Sequence, residues 1–256
     1  MTRISFPTAR GVFITGTDTG VGKTLVAAGL AAWCRAQGLD VGVMKPIATG
    51  GTRDRERALV SSDARLLASA AGVHDPLSLI NPICYREPLA PYAAALRSRR
   101  PITWPSVFRA FRELRCRHSF MIVEGVGGLL VPLSHRKTVA DLIRQLRLPV
   151  IIVSRLRLGT LNHTLLSVRQ ARHEGLTVLG VVWNAAEAPS KNAKARLAEQ
   201  TNPKILARCL TVPQLGLLPH RSAWRKREPA STELVSWAGQ GFSSSVLTWL
   251  HRQAGR

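Results

Sequence analysis

The sequence predicts an α/β domain with a mostly parallel central β-sheet flanked by helices on both faces. Three observations predict it. Short β-branched runs such as Val12-Phe-Ile-Thr15 and Val150-Ile-Ile-Val153 lack polar alternation, as strands buried on both faces do. Helix-length segments separate these runs, the order expected of βαβ units. A glycine-rich turn also follows the first run and opens a helix, a place where parallel sheets put ligand sites.

In chain order, the strand Val12–Thr15 leads through that turn into a helix from Thr24 to Gln37, stopped by Gly38. Val41–Met44 reads as the second strand, and Ser61–Ala71 as a helix ending at Gly72. Phe120–Val123 is the third strand, and Val150–Val153 the fourth, directly after Pro149. A helix over Thr160–His173 stops at Gly175. Val178–Trp183 is the fifth strand and Leu215–Leu218 a short sixth. One domain over residues 1–256 is expected, with 219–256 its least regular part. Trp237, Phe242 and Trp249 in that part read as core.

A chain of 256 residues with 45% hydrophobic content can bury a large core without staples. No apolar run reaches the roughly 18 residues that span a bilayer. The opening Met1-Thr-Arg-Ile-Ser-Phe-Pro7 lacks the basic start and apolar core of a signal peptide, which points to the cytoplasm. Cys34, Cys84, Cys116 and Cys209 are scattered without zinc-ligand spacing and read as reduced thiols. The net charge of +21 raises the question of a nucleic-acid or membrane partner. Yet the arginines are spread along the chain, and only Arg221–Arg227 forms a cluster. A solvated basic surface accounts for this, so neither partner is expected.

The strongest motif is Gly16-Thr-Asp-Thr-Gly-Val-Gly-Lys-Thr24, between a strand and a helix. Glycines let the backbone N–H groups turn inward as an anion nest, and the helix N-terminus adds to the attraction for phosphate. Lys23 would reach the outer phosphates and the Thr24 hydroxyl a Mg²⁺ ion, as in a P-loop. Thr17 stands where the common pattern has glycine, with Gly16 one residue earlier. The loop by itself implies only a bound nucleotide in a P-loop NTPase-like fold.

Further motifs narrow the reading. Lys45-Pro-Ile-Ala-Thr-Gly50 follows the second strand, and Ser62-Asp63 opens the next helix. Asn81-Pro82 precedes Glu87-Pro88, Glu124-Gly-Val-Gly-Gly128 follows the third strand, and Leu158-Gly-Thr-Leu-Asn-His163 starts a helix. Taken in order up to Asn184, the set resembles the dethiobiotin synthetase family. That family joins CO₂ to diaminopelargonic acid with ATP, giving a cyclic urea, ADP and phosphate.

The resemblance implies ATP and Mg²⁺ as cofactors, with diaminopelargonic acid and CO₂ or bicarbonate as substrates. It implies nucleotide contacts from Thr17, Asp18, Thr19, Gly20, Val21, Gly22, Lys23 and Thr24, and from Asp63, Glu124, Gly125, Gly127, Asn184 and Pro219. Thr24, Asp18, Asp63 and Glu124 would hold the metal, since hard cations take oxygen ligands. Lys45, Lys23 and Thr49 would act in catalysis by stabilising charge on the reacting groups. Thr19, Lys45 and Thr49, together with Gly159, Thr160, Leu161 and Asn162, would contact substrate. The last four would come from the other subunit of a homodimer.

Simpler roles stay open beside these. Asp18 suits a turn, Asp63 an N-cap, Asn184 a loop cap, and His163 a structural contact. Ala90, Tyr92 and Ala185 depart from the family pattern, which puts substrate or adenine affinity in question. A partitioning ATPase that binds DNA or membrane is the main rival, although Asp18 replaces its signature lysine. A nucleotide-binding relative without turnover is another. A cobyrinic-acid amidotransferase would need a further glutaminase domain.

Overall fold

The computed structural model describes residues 9–54, 58–225 and 227–255. The N-terminal segment read above and Lys226 of the basic cluster lie outside them. Six strands form one sheet: β1 (Gly11–Gly16), β2 (Val41–Met44), β3 (Phe120–Gly128), β4 (Val150–Ser154), β5 (Val178–Asn184) and β6 (Gln214–Leu218). Their spatial order is β6-β5-β4-β1-β3-β2, with every neighbouring pair parallel. β1 is central, so the chain leaves it between β4 and β3, the crevice where doubly wound sheets bind ligands.

Helices occupy the connections: α1 (Lys23–Ala36), α2 (Ser62–Ala71), α3 (Leu77–Ile80), α4 (Pro91–Ser98), α5 (Trp104–Arg117), α6 (Val139–Leu146), α7 (Thr160–His173), α8 (Ala193–Cys209), α9 (Ser231–Gly241) and α10 (Ser244–Ala254). The strands alternate between two apolar clusters. Val12 and Ile14 face one, shared with α1, α2, α9 and α10, while Phe13 faces the other, shared with α5 and α6. Each face is therefore covered, which is why the strands carry no polar stripe.

Two sequence expectations are corrected. The third strand runs on from Val123 to Gly128, because Glu124 pairs with Ile14 and, beyond a bulge that includes left-handed Gly127, Gly128 pairs with Gly16 of β1. The segment after Pro219 is regular: α9 lays Trp237 on Gly29 of α1, where a Cβ would come 3.1 Å from the ring, and Trp224 packs edge-on against Trp237 at 5.1 Å. Trp237, Phe242 and Trp249 are core, as read. Among the described residues no helix is long and apolar enough to cross a membrane, and the four cysteines are free.

Candidate active site

The turn from β1 into α1 is shaped by two glycines. Gly20 and Gly22 have φ of +74° and +86°, a left-handed region that residues with a Cβ disfavour. Space adds a second constraint at Gly22, where a Cβ would stand 2.0 Å from Asn184 Nδ2. Asn184, at the end of β5 and buried, donates that amide to the Val21 carbonyl at 2.9 Å. The strand end thus braces the loop from behind. Beyond the loop, Lys23 Nζ donates to the Asp18 carbonyl at 3.0 Å.

Strand register assembles the charged centre. β3 pairs Val123 with Met44 of β2 and Glu124 with Ile14 of β1. Lys45, next after Met44, therefore falls beside Glu124. Its ammonium lies 2.5 Å from Glu124 Oε1 and 2.9 Å from Asp63 Oδ2 in the first turn of α2. Thr24 Oγ1 donates to the same Glu124 oxygen at 2.9 Å. Lys45 and Glu124 are 4% and 1% exposed, so water screens neither charge. Asn81 holds the base of the lysine, donating to the Lys45 carbonyl at 2.6 Å and the Ile83 carbonyl at 3.1 Å.

Ionisation follows from this packing. Burial presses Lys45 toward the neutral form, but Glu124 and Asp63 outweigh it and raise its pKa. Burial raises Glu124 despite the neighbouring ammonium. Asp63 is desolvated too, yet Lys45 and Thr24 hold its pKa below the usual carboxylate range. Lys23 has less compensation, and burial lowers it to about 8.

Thr24, Lys45, Asp63 and Glu124 are thus brought together. Asp18 is engaged elsewhere: Oδ1 accepts from the Thr19 N–H at 2.7 Å and Oδ2 from Arg155 at 3.1 Å. Among the described residues no three His, Cys, Asp or Glu side chains are grouped to hold a metal. The donor set nonetheless suits a hard cation. Glu124 Oε2 and the Thr17 hydroxyl are buried and have no hydrogen-bond partner among the described residues.

The other expected residues line the surroundings. Thr49 is half-buried in the loop beyond Lys45, and Gly125 packs against Phe13. Gly127 has φ +61° where the strand turns toward Val131. The Pro219 carbonyl accepts from Trp237 Nε1 at 2.8 Å. Gly159 caps α7 with φ +90°. Thr160 turns inward, bonding the Arg155 carbonyl at 2.6 Å and Ser154 at 2.8 Å, while Asn162 faces outward and Leu161 is half-buried. A cleft of about 520 Å³ runs from Thr17, Asp18 and Thr19 to Leu130, Val131 and Leu166.

Sequence reasoning missed two contributors. Arg155 belongs in the sequence to the arginines spread along the chain, although its place between the end of β4 and Gly159 puts it near the loop. Asn81 was noted only as part of a dipeptide; an asparagine before proline beside a buried strand end was the available signal.

A family model described as "AAA domain" matches residues 10–227. An ATP-dependent dethiobiotin synthetase of Thermodesulfovibrio yellowstonii is 40% identical over 234 residues, 89% of this chain and 95% of that one. One from Anaeromyxobacter dehalogenans is 44% identical over 210 residues, 82% of this chain and 90% of its own. One from Bacillus licheniformis is 40% identical over 210 residues, 82% of this chain and 86% of its own. A plasmid partition protein of Borrelia burgdorferi superposes with a TM-score of 0.55 at 13% identity, covering 96% of this chain and 100% of that one. At that identity the likeness is one of fold alone.

Proposed function

The chain belongs to the ATP-dependent dethiobiotin synthetase family, and from that premise we propose how its residues divide the work. Its activity is the ATP-dependent synthesis of dethiobiotin in biotin formation. The observation that carries the assignment of roles is the meeting of Lys45, Asp63, Glu124 and Thr24 at the mouth of the nucleotide loop.

In this reading the loop amides and Lys23 cradle the triphosphate, with Asn184 and Pro219 flanking the base. Thr24, Asp63 and Glu124, with Asp18 nearby, would hold magnesium. When bound, that ion supplies neutralisation of charge on the outer phosphates. Glu124 Oε2, buried without a hydrogen-bond partner among the described residues, is the oxygen that supports this fit.

Diaminopelargonic acid enters along the cleft beside Thr19, its carbon chain against Leu130, Val131 and Leu166. One amine takes up CO₂ and loses a proton to become a carbamate. A carbamate oxygen attacks the γ-phosphorus and ADP leaves. The second amine then attacks the carbonyl carbon, phosphate departs taking up that amine's proton, and the ring closes. In this reading Lys45 stabilises the carbamate and the transferring phosphoryl group, with the Thr49 hydroxyl assisting. Phosphoryl transfer of this kind depends chiefly on positioning and charge.

We also assign the N-terminus of α7, at Gly159, Thr160, Leu161 and Asn162, as the seat of the substrate carboxylate, provided by a second copy of the chain. Free N–H groups at a helix start suit an anion, and Leu158, 84% exposed beside it, suits burial against a partner. A cytoplasmic location accords with the free thiols.

The test is phosphate release by purified protein. It should require ATP, Mg²⁺, the diamine and bicarbonate together. Release that ignores the diamine would remove the proposed chemistry, and nucleotide binding without turnover would mark a binding-only relative.

A further inference from the structure

A second constellation of charge lies at the end of the sheet away from the nucleotide loop, where β1, β4 and β5 begin and α5 and α6 end. Arg10 precedes β1, Arg115 is in the last turn of α5, and Arg147 caps α6 with φ 54°. All three line one cleft of about 550 Å³, floored by Ile143, Leu148 and Leu176. Arg144, on the same rim, is committed to Asp141 and Glu174. Among the described residues no carboxylate pairs with Arg10, Arg115 or Arg147.

Cations near helix C-termini offset the helix dipole, which accounts for Arg115 and Arg147 singly. It does not account for Arg10, which comes from a strand start, or for the convergence of all three on one concavity. Three exposed arginines lining one cleft concentrate positive charge there, with no carboxylate among the described residues paired to any of them. Arg147 also holds its place in a left-handed conformation disfavoured for a residue with a Cβ.

We propose that this cleft binds a compact polyanion carrying two or more phosphate groups. The planar guanidinium fork matches phosphate oxygens two at a time, so three forks in one concavity suit a condensed or doubly phosphorylated ligand. A neighbouring cleft shares Arg10 and Arg115, but Asp40 lines it. There His118 is bonded to Asp40 and Asp75, and Arg117 to Asp75. A nucleic-acid backbone continuing through would meet those carboxylates, so the unpaired charge ends where a small ligand would end.

The experiment is calorimetric titration of tripolyphosphate at near-physiological salt, with Mg²⁺, into protein loaded with one equivalent of a non-hydrolysable ATP analogue, which fills the nucleotide loop without an excess that would compete for the cleft. One equivalent should bind. Arg115→Ala with Arg147→Ala should weaken it at least tenfold, with diamine-dependent turnover unchanged. Removing the same charge from the exposed face of α8, as Arg196→Ala with Arg208→Ala, should leave binding intact. Absence of binding to the loaded protein would overturn the proposal, as would equal loss in the α8 variant. Preference for duplex DNA over tripolyphosphate would overturn it in favour of a nucleic-acid surface.

Discussion

Lys45, one residue past the end of β2, and Glu124, midway along β3, meet at 2.5 Å, both buried, so each is the other's main electrostatic support. Cutting such a pair on one side leaves an uncompensated charge in the interior, at a cost of about 3–5 kcal/mol. Lys45→Ala should lose stability on that scale in denaturant melts. Ring closure should fall by at least about 100-fold, the scale of removing one preorganised donor, while nucleotide binding stays measurable. Adding Glu124→Gln should recover much of the stability and none of the turnover. Unchanged product formation in Lys45→Ala would remove the lysine from the mechanism.

The two loop glycines should differ. Gly20 has φ +74° with open space around it, so Gly20→Ala meets only the left-handed penalty, about 1–2 kcal/mol. Gly22→Ala adds a collision with the Asn184 amide. Nucleotide affinity measured by calorimetry should therefore be nearly retained in the first and lost in the second. Equal effects would show that Asn184 does not brace the loop.

Lys23 gives a pH signature. Its folded pKa of about 8 lies below its usual value of 10.5, because burial disfavours the ammonium. The ammonium is what a triphosphate prefers, so nucleotide affinity should fall as pH rises through about 8. Lys23→Arg, which stays charged, should flatten that fall. Stability moves the other way. Below pH 8 the buried charge costs its full amount, and between about 8 and 10.5 the unfolded chain binds more protons, so folding gains as pH rises. A pH series of binding and melting would separate the two.

Trp237 ties the end of the chain to the site. Trp237→Ala should cost about 3–5 kcal/mol through the cavity left against α1. Trp237→Phe keeps most of the packing but loses the bond to the Pro219 carbonyl, worth about 1 kcal/mol. If Pro219 flanks the base, the phenylalanine variant should also weaken nucleotide binding severalfold in calorimetry.

The His118 clamp on Asp40 and Asp75 joins α5 to the α2–α3 region. Burial opposes its protonation, yet the two carboxylates win and raise its pKa above the usual 6.5. Its contribution is therefore full below about pH 6.5 and lost as pH rises through the elevated folded value. His118→Gln should remove about 2 kcal/mol of stability in acid. Above the folded pKa it should remove much less, as melting at pH 6 and pH 9 would reveal.

The sequence by itself determined the parallel α/β architecture, because β-branched runs without a polar stripe are stable only when covered on both faces. It also determined the nucleotide loop, because glycines, lysine and threonine at that spacing are local in the chain and fold around phosphate by their own backbone geometry. Long-range register decided the rest. Nothing near Lys45 says that it will face Glu124; that follows from the pairing of Met44 with Val123 across β2 and β3. Nothing near Asp18 says that Arg155 will hold its carboxylate, or near Gly22 that Asn184 will press on it. Arg10, Arg115 and Arg147 too read in the sequence as dispersed charge; the starts of three strands and the ends of two helices gather them around one cleft. Such contacts join residues far apart in sequence, and side chains become neighbours only once the sheet has fixed its strand order.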